Sequence, residues 1–130
     1  KDDEHEEEIE LADYMAKLQR YHHKLYLSGK ANNTELINFY LHEIEEVMEE
    51  IEEADITEEG IAISANMKTF GLGELEKFED EMKSADFVFE NSFNDLTATC
   101  NSCHQACKEP QIKIITPKDN PFSNQDFSAQ

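Results

Sequence analysis

The sequence predicts an all-α fold, an antiparallel four-helix bundle followed by an extended C-terminal tail. Apolar residues recur at helical spacing in four successive segments, and short polar or glycine-containing connections join them. From Pro110 onward prolines break this pattern. We therefore divide the chain into a helical domain at residues 1–109 and a tail at residues 110–130 that packs on it. Residues 111–116 are expected to run extended, and Phe122 and Phe127 to hold the remainder.

Two apolar stripes predict the first two helices. The first helix is expected from about residue 3 to residue 28, with Gly29 as its stop. The second is expected from about residue 35 to residue 54, after Asn33 or Thr34 as its cap. Its outer face is almost entirely glutamate, which is typical of a solvated face. The inward positions are Leu11, Met15, Leu18, His22 and Leu25 in the first helix, and Ile37, Tyr40, Leu41, Ile44, Val47, Met48 and Ile51 in the second.

Two further amphipathic segments complete the helical domain. The third spans about residues 61–83, where Gly71 and Gly73 predict a kink or two shorter helices. The fourth begins near Ser84–Asp86, either of which can cap it, and continues to about Lys108. Their inward positions are Met67, Phe70, Leu75, Phe78 and Met82, and then Phe89, Phe93, Leu96, Cys100, Cys103 and Cys107.

Strong negative charge limits the classes of partner. The formal net charge is −19 at pH 7, with 30 acidic and 11 basic residues. Nucleic-acid binding needs clustered positive charge and is disfavoured, and an anionic membrane would repel this surface. No apolar run reaches the roughly 18 residues of a membrane span. A partner protein with a basic docking surface fits the charge best.

A cysteine cluster late in the fourth segment carries the functional signal. Residues 100–104 read Cys-Asn-Ser-Cys-His, the C-x-x-C-H pattern at which haem c is attached covalently. Thiols three positions apart lie roughly on one face of a helical turn, so Cys100 and Cys103 can both reach the vinyl groups on one haem edge. His104 follows as an axial iron ligand. One haem per chain is expected.

Other uses of a C-x-x-C run remain as alternatives. A zinc site usually has a second ligand pair elsewhere, whereas the third cysteine, Cys107, belongs to the same cluster. A redox pair of the thioredoxin type would lie in a βαβ unit, which the helical pattern does not predict. A carboxylate-bridged metal site would need inward Glu-x-x-His pairs, which we do not find. We interpret Cys107 as a small buried hydrophobe.

This motif, late in the last helix of an acidic helical bundle, resembles the cytochrome c′ family. The resemblance covers roughly residues 5–109 and includes a basic residue, Lys108, four positions after His104. It implies Cys100 and Cys103 as thioether ligands and His104 as the proximal axial ligand. It also implies Lys108 near the proximal face and an apolar, open distal side that takes up NO or CO. The tail lies outside the usual family ending and is more similar to a divergent branch of bacterial haem proteins.

The first helix departs from that family at His22. This residue lies on the inward stripe, and the first helix could face a haem carried by the fourth, so His22 is a candidate sixth ligand. The alternative is a core histidine satisfied by a hydrogen bond. Met15 is either core filler or a distal contact. Two axial ligands suit electron transfer, whereas one ligand leaves iron open to a diatomic gas.

Two functional hypotheses follow. The first is a monohaem c-type cytochrome that transfers electrons or binds NO or CO. It would be periplasmic or otherwise exported, because thioether-forming machinery works on exported chains. Its partners would be a redox protein and, by resemblance, a second copy in a homodimer. The second is a haem-free acidic interaction module with a C-x-x-C disulfide or metal site. We predict no enzyme, since no nucleophile–base pair or carboxylate dyad is evident.

Overall fold

The computed structural model describes residues 2–129, with side chains from residue 10 onward, and its fold is all-α. No helix among these residues has the length and apolar character needed to cross a bilayer. Beyond α5 the described tail contains neither helix nor strand. The elements are α1 (Asp2–Lys30), α2 (Thr34–Glu53), β1 (Thr57–Glu58), β2 (Ile61–Ala62), α3 (Ile63–Asn66), a π-helical segment (Met67–Leu72), α4 (Gly73–Met82) and α5 (Phe89–Ala106).

The apolar stripe of α2 forms the centre of the core. All seven inward positions predicted for this helix are buried. They belong to one cluster with Leu25 of α1, Phe78 of α4 and Phe93 of α5. Of the two predicted caps, Asn33 or Thr34, the structure selects Asn33, whose side chain accepts a hydrogen bond from the Leu36 N–H at 3.1 Å.

Gly29 does not end α1, contrary to the prediction. The helix continues through Lys30, and Asn32 takes the left-handed conformation after it, with φ 53°. Gly29 is buried, and a Cβ at this position would overlap the ring of Phe89 on α5. The glycine therefore serves close packing between α1 and α5 and is not a helix stop.

The region around Gly71 combines a hairpin with irregular helix. Strands β1 and β2 pair antiparallel, and their turn residues Glu59 and Gly60 have φ values of 52° and 82°. Two left-handed central residues define a type I′ turn, which suits a tight hairpin. The interruption that the glycines predict is a π-helical stretch, between two α-helical pieces. The sequence predicted neither the hairpin nor the π geometry.

Helix α5 begins later than predicted and without a side-chain cap. Its N-cap is Val88, not a residue of the Ser84–Asp86 region. Ser84 acts in the preceding turn, where its Oγ accepts a hydrogen bond from the Asp86 N–H at 3.1 Å. The polar residues that looked like a helix cap therefore stabilise the connection from α4.

The tail is fastened to α1 and to the start of α2. His23 Nε2 lies 2.7 Å from the carbonyl oxygen of Asp119, and Lys24 lies over the Phe122 ring at 4.8 Å. Asn33 Nδ2 donates to the carbonyl of Phe127 at 3.0 Å. Phe127 is buried in the core cluster and Phe122 packs against that cluster, as the sequence predicts. The tail thus runs back along the helices after α5.

Candidate functional site

A cavity with mostly apolar walls lies between α1, the π-helical segment, α5 and the tail. Its volume is about 320 Å³, and an adjoining cavity of about 610 Å³ shares part of its wall. Small-molecule sites are typically about 300–1,000 Å³, so the two together offer room for a ligand of substantial size. Five of the six predicted site residues line the first cavity: Met15 and His22 from α1, and Cys100, Cys103 and His104 from α5. Lys108 is exposed and lines only the second.

The ring of His104 is oriented by the tail. Its Nδ1 lies 3.1 Å from the carbonyl oxygen of Ile112. A carbonyl only accepts hydrogen bonds, so Nδ1 must carry the proton and donate it. The neutral ring then keeps the lone pair on Nε2, which is the nitrogen left to bind a metal.

The end of α5 explains why Ile112 returns to His104. The Glu109 N–H donates to the His104 carbonyl at 2.7 Å, and the Lys108 N–H donates to the Gln105 carbonyl at 3.1 Å. These two bonds form a Schellman motif, with Lys108 in the left-handed position at φ 63°. The motif reverses the chain directly after the C-x-x-C-H run, so the following residues pass close to the histidine.

The three cysteines are free thiols in surroundings that keep them protonated. Burial raises the pKa of Cys100 to about 11 and the pKa of Cys103 to about 12. Cys107 is buried as interpreted from the sequence, burial also raises its pKa, and Asn66 Nδ2 lies 3.7 Å from its Sγ. Reactive redox cysteines have lowered pKa values, so this environment disfavours a reactive redox pair. In the part of the chain with described side chains, no three His, Cys, Asp or Glu residues are grouped as a metal site requires.

His22 is a buried histidine with a hydrogen-bond partner. Its side chain is only 6% exposed, and Nε2 lies 2.8 Å from Thr97 Oγ1. The Thr97 hydroxyl itself donates to the Phe93 carbonyl at 3.1 Å, so it accepts from His22, and Nε2 carries the proton. Burial, with a smaller contribution from the charge of His23, lowers the pKa of His22 to about 4. Coordination of iron by His22 would have to use Nδ1 or break this bond, and stays a prediction.

The tail forms a wall of the cavity that sequence reasoning missed. Ile112 and Ile114 both line it, and side chains two residues apart in an extended segment point to the same side. The intervening Lys113 and the following Ile115 are exposed, and Ile115 is 67% exposed. The alternation of apolar and charged residues at positions 112–114 indicates that Ile112 and Ile114 share one face of an extended segment. The sequence does not show which helices this apolar face covers.

The π-helical segment forms another wall, through Met67 and Gly71. A Cβ on Gly71 would lie 2.5 Å from the Met67 sulfur and 2.9 Å from the Met48 sulfur. The glycine therefore leaves room for two flexible thioether side chains at the cavity wall. Since π-helical turns often mark functional sites, this segment supports the assignment of the cavity as the functional site.

Comparisons of the chain with protein-family models, with curated proteins and with solved structures gave no match. The similarity to the cytochrome c′ family therefore remains a resemblance of motif and pattern.

Proposed function

We propose that this protein is a monohaem c-type cytochrome, with haem c bound through Cys100 and Cys103 and with His104 as an axial iron ligand. One observation carries the proposal. The Ile112 carbonyl holds His104 in the tautomer that leaves Nε2 free, beside an apolar cavity that both cysteines line. We include in the proposal the arrangement of the helices as an antiparallel four-helix bundle, with residues 110–130 as a tail.

The chemistry of the cavity walls supports this assignment. A porphyrin is a large apolar group, and the walls are mostly apolar, with two thiols and one imidazole at the same helical turn. Ile112 lines both cavities and yet remains 44% exposed. A bound apolar group would cover this side chain. The burial would stabilise the complex by about 25 cal/mol for each Å² of apolar surface removed from water.

The chain's own residues would position and shield the cofactor. When bound, haem iron supplies one-electron redox chemistry and a coordination position for a diatomic gas. His104 would donate Nε2 while its Nδ1–H stays on the Ile112 carbonyl. Met15 and His22 would provide the α1 side of the pocket, and the isoleucines of the tail would exclude water. The function proposed is electron transfer, binding of NO or CO, or both.

The proposal extends to location and partners. Covalent haem attachment takes place on exported chains, so the protein would be periplasmic or otherwise exported. Its net charge of −19 favours a redox partner with a basic docking surface. A homodimer is the further partner that the family resemblance implies.

The decisive experiment is the intact mass of protein produced in a host that attaches haem c. The expected mass is that of the polypeptide plus one haem, with a Soret band that survives acid–acetone extraction. The double variant Cys100→Ser/Cys103→Ser should lose both signals. The matched control Cys107→Ser should keep them, because that thiol has no role in attachment. A wild-type mass equal to the bare polypeptide would refute the proposal and favour a haem-free interaction module.

The distal side is tested by adding CO to the reduced protein. A shift of the Soret band would indicate an open iron position, whereas an unchanged band would indicate a sixth ligand. In the second case His22→Leu should restore the shift if His22 is that ligand. Met15→Leu serves as the matched variant on the same wall of the cavity.

A further inference from the structure

Asn101, the first spacer residue of the C-x-x-C-H run, is joined to the tail by two hydrogen bonds. Its Nδ2 donates to the Ile114 carbonyl at 2.9 Å. The Ile114 N–H donates back to Asn101 Oδ1 at 2.7 Å. This reciprocal pair satisfies both backbone groups of one residue, as pairing with a neighbouring strand would do. A carboxamide is suited to this role, because it presents a donor and an acceptor side by side.

This contact lies two residues beyond the carbonyl that orients His104. The Ile112 carbonyl accepts the hydrogen bond from His104 Nδ1, and the Ile112 N–H donates to the Glu109 carbonyl at 3.1 Å. The chain before Ile112 is held by the Schellman motif at the end of α5. The chain after it is held by Asn101. The orienting carbonyl is therefore fixed from both sides, and both attachments are made to α5 itself.

We propose that Asn101 is a positioning residue for His104. It clamps Ile114 so that the Ile112 carbonyl stays against the Nδ1–H of the imidazole. The ring is thereby kept in the tautomer whose Nε2 can bind iron. The inference rests on the proposed function in so far as the bound group is haem iron. The clamp also keeps Ile112 and Ile114 at the cavity wall.

The hydrogen bond to Nδ1 has consequences for a bound metal. Partners of this kind fix the orientation of the ring and raise the basicity of the ligating nitrogen. A more basic imidazole stabilises the oxidised, more positive iron. Loss of the clamp should therefore raise the midpoint potential and lower the iron–histidine stretching frequency of the ferrous protein.

The test compares Asn101→Leu and Asn101→Asp with Ser102→Ala, a change at the exposed neighbouring spacer. Leucine removes both hydrogen bonds, whereas aspartate keeps the acceptor for the Ile114 N–H but places a charged oxygen against the Ile114 carbonyl. In haem-loaded protein, resonance Raman spectroscopy should show a lower iron–histidine stretching frequency for both Asn101 variants and no change for Ser102→Ala. Potentiometry should show a raised midpoint potential for Asn101→Leu, which adds no charge. Far-UV circular dichroism of the same samples would reveal a general loss of folding.

The haem-free chain gives an independent second measurement. Nitrogen-15 shifts of the His104 ring should report the Nδ1–H tautomer in the wild type and a mixture of tautomers in Asn101→Leu. Hydrogen exchange at the Ile114 amide should become about tenfold faster, as expected for loss of one such bond. If both Asn101 variants of the haem-free chain keep the wild-type nitrogen-15 shifts and the wild-type exchange rate, the inference is overturned. Because this arm needs no haem, its result is separate from failure of the proposed cytochrome function, which the intact mass reports.

Discussion

Replacement of His22 by leucine should remove a defined acid sensitivity from the folded chain. The imidazole is 6% exposed, packs against the Phe93 ring in a tilted arrangement at a centroid distance of 4.5 Å and donates from Nε2 to Thr97. Burial disfavours its charged form and lowers its pKa to about 4 from a normal value of 6.5. The unfolded chain therefore takes up a proton at this site at a higher pH than the folded chain does.

The size of the effect follows from that difference in pKa. The stability that the neutral ring contributes is fully present above pH 6.5, decreases as the pH falls and is lost by about pH 4. The interval from 6.5 to about 4 corresponds to about 3 kcal/mol in the free energy of unfolding. By the same relation, roughly 2 kcal/mol is already lost at about pH 5.

Urea unfolding of the haem-free chain at several pH values between about 8 and 5 would measure this loss. Protonation of the many carboxylates also changes stability, but that contribution is common to all variants. His22→Leu should lack the component of about 2 kcal/mol at pH 5, whereas His42→Leu, at an exposed histidine, should retain it. If His22→Leu shows the same change in unfolding free energy as the wild type, the reasoning from burial is wrong.

Three further predictions concern packing, backbone conformation and thiol reactivity. Gly29→Ala should destabilise the chain by about 1–3 kcal/mol in urea unfolding, because the new methyl group overlaps the Phe89 ring. Gly73→Ala is the matched control and should be neutral or slightly stabilising, because among the described residues nothing outside its own helical turn lies within 4 Å of the new Cβ. Lys108→Gly should raise the thermal midpoint and increase the free energy of unfolding by about 1 kcal/mol, because a non-glycine residue is strained at the φ of 63° found here. An unchanged midpoint would contradict this explanation. In the haem-free chain, the raised pKa of Cys103, about 12, should make alkylation by iodoacetamide at neutral pH much slower than in urea-unfolded chain, as followed by mass spectrometry. Equal rates would show that the thiol is not shielded.

Local patterns were sufficient where one element decides the outcome. The spacing of apolar residues correctly identified every buried position of the α2 stripe, and Asn33 is one of the two caps that the sequence predicted. The motif residues Cys100, Cys103 and His104 were expected on one helical turn, and they do lie together on the wall of one cavity. In each case, the determining pattern lies within a single helix and its cap.

Predictions failed where a distant segment changes the meaning of a residue. Glycine often ends a helix, and Gly29 was interpreted in this way. The Phe89 ring, sixty positions away along the chain, instead requires a glycine within the helix. Ser84 and Asp86 are residue types that often cap helices, but the hydrogen bond between them closes a turn that precedes the actual N-cap, Val88. Glycine and short polar side chains suit several local structures equally well, and tertiary contacts select among them.

The sequence by itself determined that the chain is helical, where its apolar faces lie and that two thiols and an imidazole share one turn of helix. These properties follow from residue spacing and from local hydrogen bonding. Only the tertiary structure decided what surrounds that turn. The Schellman motif after Cys107 brings the tail back, Asn101 fastens it, and the Ile112 carbonyl selects the His104 tautomer. These contacts arise because the packed helices and the returning tail bring side chains and backbone groups together, and no periodicity in the sequence records that arrangement.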